Sequence, residues 1–140
     1  MKIVTFANAL IFDRNNNVLV LWRSESHSSR ANSIDLPGGG VEAKESFEDA
    51  LVREVLEETG LSLRLDDLKL AYTHSQLRTP DEYLIGALYY TRLPENKPSV
   101  TTSWEHERYA WVHASELVGF SDFHQEAIAF VFDNNIITIN

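Results

Sequence analysis

Residues 42–58 carry seven of the chain's 21 acidic side chains: Glu42, Glu45, Glu48, Asp49, Glu54, Glu57 and Glu58, offset only by Lys44 and Arg53. Wound as a helix at about 100° per residue, Glu54, Glu57 and Glu58 fall within an arc of roughly 100°. That placement is costly. Glu54 and Glu58 form an i,i+4 like-charge pair, worth about 0.2–0.5 kcal/mol against the helix. All three stand towards the C-terminal half, where the helix dipole disfavours anions. A helix selected for stability alone would carry lysines there. The plain alternative is a solvated acidic face. Against it, the carboxylates share one stripe, and the run Gly38-Gly39-Gly40 lies just upstream. Glycine lets a backbone carbonyl or amide approach a ligand closely. Three convergent carboxylates and a free carbonyl make a hard-oxygen site suited to Mg²⁺ or Mn²⁺.

The elements that must position these residues can be read along the chain. Ile3 to Phe12 is apolar and β-prone, and Val18 to Trp22 is its returning strand. The turn between them, Asp13 to Asn17, is rich in residues that tolerate a left-handed backbone. Ser24 to Asn32 is a polar loop, and Ile34 to Leu36 a short strand running into the glycine turn. Ser46 with Asp49 three residues on forms a capping box, and Gly60 stands where a helix ends, which predicts a helix over 46–59. Strands follow at 68–73, 83–93 and 109–112. Loops separate them at 74–82, around Pro80, and at 93–103, around Pro94 and Pro98. Residues 123–132 have apolar positions at helical spacing and close the chain. Strands mixed with two helices predict one domain over 1–140, of α/β class, with a sheet covered on both faces.

Bulk properties exclude some functions. There is no cysteine, so disulfides, thiolate metal sites and cysteine nucleophiles are ruled out. A net charge of −9 argues against binding nucleic-acid backbones, and an anionic substrate would need a cation between it and the protein. No stretch has the roughly 20 apolar residues that span a bilayer. Ile3 to Phe6 ahead of Ala7-Asn8-Ala9, with one lysine, makes a poor secretory leader. The expectation is a cytoplasmic protein with no membrane partner. No Gly-x-Ser-x-Gly occurs, and none of the five histidines pairs at a zinc spacing. They read as loop or surface residues, with His106 alone near the acidic helix.

Gly39, then Glu45, then Arg53-Glu54-Val55-Leu56-Glu57-Glu58-Thr59-Gly60-Leu61 resembles the Nudix box: glycine, five residues, glutamate, seven residues, then Arg-Glu-aliphatic-any-Glu-Glu-any-Gly-aliphatic. Every fixed position is filled. Leu36-Pro37-Gly38-Gly39-Gly40-Val41 is also similar to the family's lead-in. The resemblance implies a Nudix fold, an α/β/α sandwich with a mixed β-sheet. It implies a Mg²⁺ site (Mn²⁺ as alternative) formed by Glu54, Glu57, Glu58 and the Gly38 carbonyl, with Arg53 pinning Glu45. It also implies hydrolysis of a phosphoanhydride in a nucleoside diphosphate linked to another group, by in-line attack of a water on phosphorus. Glu54 is one candidate for the base. Glu105 and Glu107, just ahead of the Tyr109–Val112 strand, are others, with Glu105 preferred; the plain alternative there is a charged surface loop.

Around this centre, Arg23 at a strand end is a candidate phosphate contact, ahead of Arg30 and Arg78, and Gly39 and Gly40 are candidate substrate contacts. Phe6, Tyr83 and Trp104 either stack on a base or belong to the core. For a short chain the resemblance favours a nucleoside triphosphate pyrophosphohydrolase of MutT type. The rivals are a hydrolase of ADP-ribose, a nucleotide sugar, a dinucleoside polyphosphate or capped RNA, a catalytically silent nucleotide-binding regulator, and a merely acidic structural domain. Homodimers occur often in the family, so a homodimer is expected as an option.

Overall fold

The computed structural model describes residues 1–25 and 33–139, with Asp122 described by its backbone alone. His27, Arg30 and most of the 24–32 loop lie outside the described residues. The elements run β1 (Lys2–Phe12), β2 (Asn17–Arg23), β3 (Ile34–Asp35), β4 (Gly38–Gly40), α1 (Phe47–Thr59), β5 (Lys69–Thr79), β6 (Glu82–Arg92), β7 (His106–His113) and α2 (Asp122–Asp133).

β1 lies in the middle of the sheet. It runs parallel to β6 from Lys2↔Glu82 to Phe12↔Arg92, while the other pairings are antiparallel. It is buried on both faces, which is why its sequence is nearly continuously apolar instead of alternating. Ala7, Ala9 and Ile11 pack with Leu51 and Val55 of α1. Leu10 and Phe12 pack with Ala127, Ile128 and Val131 of α2. Two helices thus cover opposite faces of one mixed sheet.

The other edge of β1 is forked. Near the hairpin it pairs with β2, at Phe12↔Val18. Further back its partner is β4, at Phe6↔Gly40, Ala7↔Gly39 and Asn8↔Gly38. The glycine run is therefore a strand, not the turn that its composition suggests. Gly38 has φ +138, and a Cβ there would lie 2.1 Å from the Ala7 carbonyl oxygen. Only a bare backbone fits that close to β1. The Asn8 side chain donates to the Leu36 and Pro37 carbonyls at 3.2 and 3.4 Å and holds the fork open.

The capping box of α1 is present: Ser46 accepts from the Asp49 N–H at 2.9 Å, and Asp49 accepts from the Ser46 N–H at 3.4 Å. Gly60 caps the other end with φ +76. The expected loop over 74–82 is mostly strand. β5 continues to Thr79, and Pro80-Asp81 alone make the turn into β6. Proline carries no amide for a ladder but suits a turn, so it marks the end of that strand and does not break it. β7 also starts earlier than its apolar pattern implies, at His106.

Candidate active site

The last two turns of α1 lie against β4. Arg53 organises them. Its Nε and Nη2 grip Glu45 at 2.7 and 2.9 Å, Nη2 also donates to the Gly40 carbonyl at 3.0 Å, and Nη1 meets Glu54 at 2.9 Å and Glu57 at 3.6 Å. This two-point grip holds the Glu45 carboxyl down at about 2, helped by the Glu42 N–H. Glu54 lies so close to Gly39 that a Cβ on that residue would sit 2.5 Å from its carboxyl carbon. Burial raises the pKa of Glu54 against the pull of Arg53, and the charges of Glu57 and Glu105 add to the rise.

Glu58 is the buried member, 4% exposed. One oxygen accepts the Gly38 N–H at 2.8 Å. Burial pushes its pKa up to about 9; the Gly38 N–H opposes this, and the charges of Asp35, Glu54 and Glu105 reinforce it. A carboxylate so placed is short of positive charge.

Residues 2–132 match the NUDIX domain. The chain belongs to the NUDIX family. Over 79 residues, 56% of this chain, it is 34% identical to an ADP-ribose pyrophosphatase of Methanocaldococcus jannaschii, of which 45% is covered. Over 62 residues, 44% of this chain, it is 36% identical to the 8-oxo-dGTP diphosphatase of Escherichia coli, of which 47% is covered. The matches thus span just under half the length of these curated relatives. The crystal structure of a MutT protein from Methanosarcina mazei Go1 superposes with a TM-score of 0.81 at 25% identity, covering 98% of this chain and 97% of that one. The mixed sheet between two helices is the Nudix fold.

The groups that could hold a metal in this Nudix chain are all oxygen donors: the carboxylates of Glu54, Glu57 and Glu58 and the carbonyl of Gly38. That chemistry fits a hard divalent cation. Among the described residues, no three acidic or histidine side chains yet converge tightly enough to hold one. The Arg53 guanidinium lies on the oxygens of Glu54 and Glu57. The cradle at Gly39 and the charge-starved Glu58 are the observations that favour the fit.

The remaining predicted residues divide. Glu105 immediately precedes β7, half-buried, and its charge reaches both Glu54 and Glu58. Glu107 is exposed. Arg23 ends β2 and pairs with Asp35 at 3.0 Å. It lines a cleft of about 270 Å³, together with Phe6, Gly39, Gly40, Arg78 and His124. Two larger clefts, about 450 and 490 Å³, border the chain's last residues and hold none of the acidic stripe. Trp104 is 71% exposed and belongs to no core. Tyr83 bonds Ser75 at 3.0 Å, and Arg78 pairs with Glu82.

Two histidines correct the sequence reading. His106 and His124 are buried, 3% and 5% exposed, and not at the surface. Both flank Asp35, at 3.8 and 3.7 Å. Asp35 is a third member of this group that the sequence reading does not single out. The signal was there: an acid between Ile34 and Leu36, in a short apolar strand leading directly into the glycines.

Proposed function

We propose that this chain is a divalent-metal-dependent hydrolase of phosphoanhydrides, and more narrowly a nucleoside triphosphate pyrophosphohydrolase using Mg²⁺, with Mn²⁺ as a substitute. The observation that carries the reading is the stripe of Glu54, Glu57 and Glu58 against the glycine strand, whose residues also line the cleft that holds Arg23. Glu54, Glu57, Glu58 and the Gly38 carbonyl would hold the ion. Bound there, it would neutralise crowded phosphate oxygens and acidify a water.

The chain's own residues do the rest. Glu54, on the acidic stripe beside Gly39, is the first candidate to take the proton of the attacking water; Glu105 is the second. The water oxygen bonds to phosphorus, and the anhydride P–O bond breaks. A triphosphate then yields a monophosphate and pyrophosphate. Arg23 contacts a phosphate from the cleft side. Gly39 and Gly40 let the substrate pass close to the backbone. Arg53, held by Glu45, aligns the carboxylates. Phe6 in the cleft wall is placed to meet the base. The same reading puts the enzyme in the cytoplasm, where most of the family works.

The relatives' names support the class while dividing over the substrate: one is an 8-oxo-dGTP diphosphatase and another an ADP-ribose pyrophosphatase. The test is a panel of nucleoside triphosphates, oxidised dGTP, ADP-ribose, nucleotide sugars and dinucleoside polyphosphates, incubated with Mg²⁺ and read by chromatography. Wild type is expected to turn over a triphosphate to monophosphate and pyrophosphate, and Glu57→Gln to lose the activity by about 100-fold or more, since the metal supplies several kcal/mol. Turnover at the wild-type rate by both Glu57→Gln and Glu58→Gln would overturn the metal site. Cleavage of ADP-ribose alone would overturn the triphosphate assignment.

A further inference from the structure

Among the described residues, His106 is a buried side chain with both ring nitrogens unbonded. It opens β7 and its side chain is 1% exposed. A buried polar group in that condition is a cost that an apolar residue would avoid. Its surroundings say what the ring faces. Nδ1 is 3.9 Å from Glu58 Oε2, and Nε2 is 3.8 Å from Asp35 Oδ2. Both gaps are too long for a hydrogen bond and too short to admit a bridging water.

The two carboxylates are pinned from the far side. Glu58 Oε1 is held by the Gly38 N–H at 2.8 Å, which leaves Oε2 turned to the ring. Asp35 Oδ1 accepts the Leu36 N–H at 3.0 Å, and its Oδ2 meets Arg23 at 3.0 Å. The β2–β7 ladder slips between Trp22 and Arg23, so that Arg23 comes opposite His106. Such irregularities re-aim side chains beside functional sites.

We infer that His106 is a positioning residue for the metal site, an inference that rests on the function proposed above. Its Nδ1–H donates to Glu58 Oε2 when the two side chains close by about 1 Å, which is the difference between their present separation and a hydrogen bond. That bond, with the Gly38 N–H on the other oxygen, fixes the direction in which Glu58 presents its remaining lone pairs to the cation. Asp35, anchored by Leu36 and Arg23, backs the opposite edge of the ring. Partners one step behind a metal ligand commonly set its affinity in this way.

The test uses the full chain without nucleotide and reads Mn²⁺ binding by calorimetry and by the loss of the free-ion EPR signal. His106→Phe fills the space without a donor, and His106→Asn keeps a donor near the Nδ1 position. His106→Phe is expected to weaken Mn²⁺ binding by about 10- to 100-fold. His106→Asn is expected to recover most of that loss. The thermal midpoint of His106→Phe in chelator should match wild type or exceed it. Mn²⁺ binding by His106→Phe within twofold of wild type would overturn the inference. So would equal weakening in both variants, which would make the ring a space-filler only. If His106→Phe does not fold, His106→Leu against His106→Asn decides the same question. Glu58→Gln, measured alongside, separates the two readings. If it binds Mn²⁺ as wild type does, the metal site itself fails; if it loses binding while His106→Phe does not, only the role of His106 fails.

Discussion

Asp13 and Glu58 are both buried carboxylates, 0% and 4% exposed, and the fold treats them in opposite ways. Asp13 lies where β1 turns into β2. Its Oδ1 accepts the N–H groups of Asn15 and Asn17 at 2.8 Å each, and its Oδ2 accepts the Asn17 amide at 2.9 Å and the Lys97 N–H at 3.1 Å. Burial pushes its pKa up, but these donors more than reverse the effect, so it sits below the ordinary value. Glu58 has one backbone donor, and the charges of Asp35, Glu54 and Glu105 bear on it, so burial wins and its pKa rises to about 9. A carboxylate saturated with N–H groups is a fastener, here tying the 93–99 loop to the hairpin. A carboxylate crowded by others is kept in a state that a cation relieves.

The sharpest way to test that contrast is to remove each charge and follow stability against pH in chelator. For Glu58 the native pKa lies above the unfolded value near 4.5. Its stabilising contribution is therefore complete below about pH 4.5 and is lost as pH rises through about 9. Glu58→Gln keeps an oxygen for the Gly38 N–H and has no proton to lose. Metal-free Glu58→Gln should be more stable than wild type at pH 10, by roughly 3–5 kcal/mol in urea titrations. A wild-type stability that is flat from pH 5 to 10 would remove the contrast.

Asp13 should behave the other way. Asp13→Ala removes the buried acceptor of four N–H donors, and we expect a loss of about 2–4 kcal/mol, seen as a lower urea midpoint with the slope unchanged. Its native pKa is depressed, so its contribution is present above the unfolded value near 3.8 and fades as pH falls through the native one. Asp13→Asn should consequently flatten the acid limb of the wild-type curve. Turnover per folded molecule should not change in either variant. A fall in turnover with stability preserved would make Asp13 something other than a fastener.

The two carboxylates were not equally legible in the sequence. Asp13 to Asn17 reads as a turn from residue type alone, and Asn16 does adopt φ 65. The clamp on Lys97 could not be read, because it joins positions 84 residues apart. Glu58 could be picked out because helical periodicity places it on a stripe with Glu54, and because the box pattern names it. Its burial could not, since that depends on β4 leaving the turn that glycine composition suggests and joining β1. The Arg53–Glu45 pair, which the family resemblance implies, is found at 2.7 Å. Asp35, His106 and His124 come from three separate elements and meet only in the folded chain, so no local pattern announces them. The 74–82 segment departs from its sequence pattern for a related reason: Pro80 suggests a loop, but the pairing of β5 with β6 carries the strand up to it.

The smallest expected effect concerns Ser46, which is a fastener like Asp13 but stands on the same helix as Glu58. Its hydroxyl accepts the Asp49 N–H at 2.9 Å, at the opposite end of α1 from the acidic stripe. Ser46→Ala should cost about 1 kcal/mol by urea titration, the usual loss for an N-cap. Helix fraying is confined to the first turn, while Glu54, Glu57 and Glu58 are held by Arg53, Gly39 and Gly38 against the sheet. Mn²⁺ binding should therefore stay within twofold of wild type. A tenfold weakening of Mn²⁺ binding would mean that the cap and the stripe are one unit, and that fastening and chemistry are not separable along this helix even though they are separable between Asp13 and Glu58.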